Sequence, residues 1–345
     1  MKLKKILITG GCGFLGSNLA FNLLDRKKNN EIHIIDNLSR VGSDSNLLWL
    51  KKNGAFKFHK ISILNKKYIE DLVKKLKPDL VFHFAGQVAM SSSIENPFDD
   101  FRINSYGSLI LLESIRKYSP NTISIYSSTN KVYGNLNQIK FINNKKRYIP
   151  KDYPMGFNED IKLSFESPYG CSKGSADQYF LDFSRIYGLK NIVLRHSSIF
   201  GNRQFATINQ GWVGWFVSQA LKIKQNSLKK INICADGMQV RDILFSDDLI
   251  SCYLKVYENI DKCAGEAFNI GGGINNSLSL LELFDMLEEK LNIKIHVKKN
   301  NWRESDQKFF VSDNKKIQKL TSWFPVIDLD NGINKMISWI ESIEK

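Results

Sequence analysis

The first half of the chain alternates between short apolar runs and segments in which apolar residues recur every three or four positions. Ile6-Leu7-Ile8 is a continuous apolar run, and Leu15, Leu19, Ala20, Leu23 and Leu24 then follow with helical spacing. Residues 31–35, 56–59, 80–84, 122–126 and 191–195 read as further buried strands, and 43–53, 68–76, 101–118 and 168–187 as helices. Asn53-Gly54 and Pro78 supply stops. Strands alternating with helices predict an α/β fold, a doubly wound parallel sheet. Residues 135–167 are polar, carry Tyr148, Pro150, Tyr153, Pro154 and Gly156, and read as a lid-like loop. Beyond residue 200 the alternation loosens: short strands at 231–233 and 267–270 mix with helices at 213–224, 247–258, 278–291 and 332–343. The expected organisation is a sheet domain over 1–200 and a smaller mixed α/β substrate domain over 201–345, partly interleaved with it.

Gly10, Gly13 and Gly16 lie between the first strand and the first helix. In that context the first glycine permits a tight turn, the second lets backbone approach a pyrophosphate, and the third lets helix and strand pack closely. The helix start at Phe14 and Leu15 would turn its free N–H groups toward the phosphates. Asp36 ends the second strand twenty residues after Gly16. A carboxylate there suits a ribose diol and repels a 2′-phosphate, which favours NAD over NADP. Asn37 and Arg40 follow it. Ligands of such sheets lie across the carboxyl ends of the strands, so Ala85, Gly86, Gln87 and Ser127 join the expected cofactor contacts, with Asn104 and His196.

Composition narrows the picture little. The 345 residues carry a net charge of +14, but the lysines are scattered and form no basic helix, so nucleic-acid binding is not expected. No apolar run reaches membrane-spanning length, and Met1-Lys2-Leu3-Lys4-Lys5 runs straight into a strand without a signal-peptide pattern. Five cysteines without a C-x-x-C pair suit a reduced cytoplasmic chain with no metal cluster.

The chemical centre is expected at Ser167-Pro168-Tyr169-Gly170-Cys171-Ser172-Lys173. Ser167 is a suitable N-cap and Pro168 suits the first helical turn. Tyr169 and Lys173, four residues apart, then share one helix face. A neighbouring ammonium stabilises a tyrosinate, so Tyr169 can serve as a base below the pH at which a free phenol ionises.

With Gly10-x-x-Gly13-x-x-Gly16, Ser127-Ser128-Thr129 before Val132-Tyr133-Gly134, and Tyr169-x-x-x-Lys173, the chain resembles the extended short-chain dehydrogenases/reductases that modify nucleotide sugars. The resemblance covers nearly the whole chain, including Gln239-Val240-Arg241-Asp242, Phe268-Asn269-Ile270-Gly271-Gly272 and Arg303-Glu304-Ser305-Asp306. It implies a Rossmann domain, tightly bound NAD, a nucleotide-sugar substrate, a homo-oligomer paired through the helices at 101–118 and 168–187, and a place in cell-surface polysaccharide synthesis such as that of lipopolysaccharide O-antigen. Thr129 would hydrogen-bond the reacting sugar hydroxyl, with Tyr169 and Lys173 as its catalytic partners. Arg241 and Arg303 would grip the nucleotide, since guanidinium offers paired donors to phosphate. Ser128, Asn130, Ser198, Arg203, Gln204, Trp212 and Asp306 complete the expected substrate contacts.

Two further stretches bear on the reaction. The resemblance implies that 4,6-dehydratases carry an acid and a base directly after the threonine, whereas this chain has Asn130-Lys131. An amide neither gives nor takes a proton near neutral pH, so reversible hydride transfer at one carbinol carbon, an epimerisation, is expected instead of elimination. The segment Gln204-Phe205-Ala206-Thr207 to Gln210-Gly211-Trp212-Val213-Gly214-Trp215 narrows the resemblance to epimerases of CDP-activated deoxysugars. A UDP-hexose 4-epimerase is the alternative. Ser62 and Ile61 depart from the family, in which an Asp commonly follows the third strand and meets adenine.

Overall fold

A computed structural model of the chain describes residues 4–25, 30–303 and 306–344. The stretch Met1 to Leu3 and the pair Glu304-Ser305 lie outside the described residues. Strand β1 (Lys4–Thr9) leads into α1 (Phe14–Asp25), and β2 (Asn30–Asp36), α2 (Ser43–Asn53), β3 (Lys57–Lys60), α3 (Lys66–Leu76) and β4 (Leu80–His83) follow. The helix expected over 101–118 is broken. Short helices α4 (Met90–Glu95) and α5 (Pro97–Phe101) lead into a π turn, Arg102–Tyr106, and only then α6 (Gly107–Tyr118). Such wide turns recur at functional sites. Strand β5 (Ile123–Thr129) comes next. The stretch expected as a lid-like loop contains an antiparallel hairpin, β6 (Phe141–Asn144) with β7 (Arg147–Pro150), closed by Lys145 at φ +24°. Helix α7 (Ser167–Tyr187) ends at Gly188 in the left-handed conformation and feeds β8 (Lys190–His196).

The later part contains β9 (Ser198–Phe200), α8 (Trp212–Lys224), β10 (Ile231–Cys234), β11 (Val240–Phe245), α9 (Ser246–Glu258) and β12 (Ala267–Ile270). The central sheet has seven parallel strands in the order β3-β2-β1-β4-β5-β8-β12. Its edge strand β12 comes from the stretch assigned by sequence to the second domain. A one-residue-per-pair register sets Ala267 against Val193 through Ile270 against His196. Outside the sheet, β9 pairs with β11, and β11 also pairs with Ser277–Ser279 and Phe309–Phe310.

The sheet is apolar on both faces because helices cover both. Ile6, Ile8, Phe82, Ile125, Ile192 and Leu194 pack on one side with α1 and α9, and Leu7, Val81, Tyr126 and Val193 pack on the other with α3, α6 and α7. A separate core under α8 joins Phe200, Val217, Phe245, Leu283, Ile333 and Met336.

Among the buried polar side chains of the sheet is a histidine on β4. His83 is fully buried, with Nδ1 2.6 Å from the Thr9 hydroxyl and Nε2 2.9 Å from that of Ser108. Burial, with the nearby Lys173 charge, holds its pKa down at about 3, against an ordinary 6.5. A base whose folded pKa is depressed gives stability that is complete above the unfolded pKa and is lost as pH falls toward the folded one. Between pH 6 and 5 the His83 contribution is expected to fall by about 1.4 kcal/mol per pH unit. Urea titrations across that window should show a slope shallower by this amount in His83→Asn.

Candidate functional site

The turn after β1 is built for close approach. Gly10 has φ +68°, and a Cβ there would lie 2.6 Å from the Ala85 nitrogen; at Gly16 it would lie 2.2 Å from the Gly10 oxygen. Only glycine fits either place. The first N–H groups of α1 have no acceptor within the helix, and Gly13, Phe14, Leu15 and Gly16 line a cleft of about 490 Å³. At the end of β2, Asp36 accepts hydrogen bonds from the Cys12 nitrogen at 2.9 Å and the Leu38 nitrogen at 2.8 Å. Burial raises its pKa, and these backbone N–H groups oppose that shift. Glycine cradle, open helix start and oriented carboxylate together fit a dinucleotide diphosphate and a ribose diol. Among the described residues no group of three or more acidic, histidine or cysteine side chains could hold a metal ion.

Nearly all the expected cofactor residues line this one cleft: Gly10, Gly13, Phe14, Leu15, Gly16, Asp36, Asn37, Arg40, Ala85, Gly86, Gln87, Ser127, Tyr169, Lys173 and His196. Asn104 does not. It sits in the π turn behind the cleft, where its Oδ1 accepts from the Gln87 nitrogen at 2.9 Å and its amide donates to Ser172 Oγ at 3.0 Å. It positions Gln87 and α7. Buried Asp100 completes that network by accepting from the Gln87 amide at 2.9 Å and from Ser172 Oγ. Ser62 and Ile61 also line the cleft, and Ser62 Oγ accepts from the Leu64 nitrogen.

The end of β5 and the first turn of α7 form the reactive corner. Ser167 Oγ accepts from the Gly170 nitrogen at 3.2 Å within the first turn, but the N-cap position of α7 falls to Glu166 and not to Ser167 as expected. Tyr169 and Thr129 both line the cleft, close enough for the Thr129 side chain to act on the Tyr169 phenol. Burial pushes the Tyr169 phenol up to about 12, the Thr129 side chain and the Arg40 charge pull it down, and the Asp100 charge adds to the rise. The cation whose field reaches the phenol is thus Arg40, expected by sequence only as a cofactor contact. Burial brings the Lys173 ammonium down to about 7 against the pull of Asp177 and Asp100. Lys173 Nζ donates to the Ser127 carbonyl and lies 4.2 Å from the centre of the Tyr126 ring.

Behind this corner lies a buried ion pair that sequence reading missed. Arg195 donates to Asp177 through Nε at 2.9 Å and Nη2 at 2.8 Å. Ser128 Oγ donates to the same carboxylate at 2.7 Å, so Ser128 borders the cleft but its hydroxyl faces a structural acid, not a substrate. The available signal was Asp177 four residues after Lys173 on one helix face. His196 touches Tyr253 at 3.1 Å and Ser127 at 3.4 Å. Tyr253 was not anticipated.

The expected substrate residues divide. Thr129, Ser198, Gln204 and Trp212 line the cleft, and Trp212 Nε1 donates to Ser198 Oγ at 3.0 Å. Arg203 also lines it, but its Nε donates to Asn46 Oδ1 on α2 at 2.8 Å, on the glycine-turn side. Asn130, Arg241, Arg303 and Asp306 do not line the cleft. Asn130 donates to Gln307 Oε1 at 2.9 Å, and Gln307 donates to the Gly134 carbonyl at 2.7 Å. Arg241 pairs with Asp306 at 2.7 Å, with Lys131 3.9 Å from the same oxygen. Arg303 is exposed and donates to Cys234 Sγ and the Ile208 carbonyl, each at 3.3 Å.

The model of a family described as GDP-mannose 4,6 dehydratase matches residues 7–336. The chain is 51% identical to CDP-paratose 2-epimerase of Salmonella typhi over 339 residues, 98% of this chain and 100% of that protein. Its fold matches UDP-glucose 4-epimerase of Thermotoga maritima, solved with UDP-glucose, at a TM-score of 0.82 and 29% identity, covering 99% of this chain and 100% of the other. It also matches dTDP-glucose 4,6-dehydratase of Bacillus anthracis, solved with NAD, at 0.81 and 26%, covering 99% and 97%.

Proposed function

As the chain belongs to the GDP-mannose 4,6 dehydratase family of extended short-chain dehydrogenases/reductases, we propose that it is an NAD-dependent isomerase that interconverts CDP-paratose and CDP-tyvelose at C2. The observation that carries the reading is that Tyr169 and Thr129 line the same cleft, while the neighbouring pair Asn130-Lys131 is engaged with Gln307 and Asp306. Tyr169 thus offers a base in the cleft, and the residues directly after Thr129 lack the acid–base pair that elimination needs. The identity of 51% along the whole chain supports the CDP-deoxysugar.

NAD⁺ bound in the cleft would supply an acceptor that takes a hydride from C2 and returns it to the opposite face. The residues do the rest. Asp36 would hold the adenosine ribose, and the amides at the start of α1 the diphosphate. Thr129 would orient the sugar 2-hydroxyl toward Tyr169. Tyr169 takes the hydroxyl proton and later gives it back, with Arg40 favouring the tyrosinate. The His196 imidazole stays neutral at the same wall, because burial holds its pKa at about 3.

The proposal extends to assembly and place. Exposed apolar side chains on α5, the π turn and α7 support a homo-oligomer: Phe98 is 80% exposed, and Phe101, Tyr106, Tyr179, Ile186 and Tyr187 join it. Sedimentation should show a dimer or larger; a monomer at working concentration contradicts it. The free thiols Cys12, Cys252 and Cys263, all buried, suit a reducing cytoplasm, and cell-surface polysaccharide synthesis is the consumer we propose. No helix among the described residues is long and apolar enough to cross a membrane.

Purified protein given CDP-paratose without added cofactor should form the 2-epimer, detectable by proton NMR. Turnover of UDP-glucose in place of CDP-paratose would favour the 4-epimerase reading.

A further inference from the structure

Residues 202–210, between β9 and α8, cross from the second part of the molecule onto the cofactor side of the cleft. They touch it at four places. The Asn202 carbonyl accepts from Asn18 of α1 at 2.9 Å. Arg203 donates to Asn46 of α2, and the Asn46 amide in turn donates to the Cys12 carbonyl in the glycine turn at 3.0 Å. Phe205 lies flat against Gly42, where a Cβ would fall 2.0 Å from the ring. Arg40 donates to the Gln210 side chain, directly across the space between the loop after β2 and this segment. The Arg203 guanidinium is further held among aromatic rings, 4.8 Å from the centre of Trp49, 4.9 Å from Trp339 and 5.5 Å from Phe205. Arg203, Phe205 and Gln210 wall the same cleft as Gly10, Gly13 and Asp36.

We propose that residues 202–210 are a strap that shuts the dinucleotide in, with Arg203 as the pin on α2 and the Arg40–Gln210 contact as the clasp. The cleft floor is the end of the parallel sheet, and residues 202–210 cross it as a segment held by side-chain contacts rather than by sheet pairing. A chemistry that returns its hydride in every cycle needs no exchange of cofactor, and loss of the reduced form would strand the keto sugar. Arg203 and Gln210 thereby become cofactor-retaining residues. This inference rests on the reading of the cleft as an NAD site.

The test is exchange of labelled NAD. Protein saturated with radiolabelled NAD is chased with unlabelled NAD, and release is followed by filtration. Arg203→Ala is expected to release the label at least tenfold faster than the natural chain, and Gln210→Ala a fewfold faster, with circular dichroism unchanged in both. Release at the natural rate from both folded variants overturns the strap. Should Arg203→Ala fail to fold, Gln210→Ala decides alone: faster release supports the strap and an unchanged rate overturns it. A folded natural chain that binds no NAD at any concentration overturns the NAD reading itself, a result distinct from rapid release.

Discussion

Tyr169→Phe is expected to lower kcat by roughly 10²–10⁴-fold, the range that a positioned acid–base group supplies, with bound NAD unchanged. The change removes one oxygen. That oxygen lies at the cleft wall beside Thr129, so the packing of α7 stays intact. The proton on the sugar hydroxyl then has no acceptor, and hydride cannot leave the same carbon without building positive charge there. The cost should appear in kcat more than in KM, because the phenol acts on the transition state and adds little to ground-state binding. Single-turnover measurement on cofactor-loaded protein checks it. A variant with kcat within a factor of a few of the natural chain would remove Tyr169 from the role of base.

Arg195→Leu is expected to lower stability by about 3–5 kcal/mol, because removing one partner of a buried ion pair leaves the other charge uncompensated. Arg195 and Asp177 are 4% and 0% exposed, and the carboxylate would retain only Ser128 and Gln178 as donors. The loss should be read as a shifted urea midpoint at pH 7. Replacing Asp177 as well with a residue of similar volume should recover much of the loss, since the penalty belongs to the stranded charge. Full stability in the single variant would mean that water reaches Asp177.

How much of this was legible beforehand follows from which interactions are local. The strand–glycine–helix unit at residues 6–24 is specified within twenty residues by periodicity and three glycines, and the structure places it as read. Helix 43–53 was read to the residue because Asn53-Gly54 ends it. The π turn at 102–106 was not legible, since its sequence has ordinary helical periodicity and Asn104 is recruited by Gln87, seventeen residues away. The hairpin at 141–150 was hidden because its turn carries no Asn-Gly or Asp-Gly signal, only Lys145-Lys146. Edge strand β12 is recognisable as a strand, but its place in the central sheet was not legible, being a matter of pairing with β8 some seventy residues earlier. At the site, cleft residues that belong to short motifs were identifiable. Those whose roles depend on distant partners were not: Asn130 on Gln307, Ser128 on Asp177, Arg203 on Asn46.

The most direct measurement of the central claim uses CDP-paratose deuterated at C2, incubated with the protein in ordinary water without added NAD. Hydride return predicts a 2-epimer that keeps its deuterium at C2, because the label travels to the bound cofactor and back without meeting solvent. A product with hydrogen from water at C2 would contradict the account, since the carbon would then have been inverted by losing and regaining a proton.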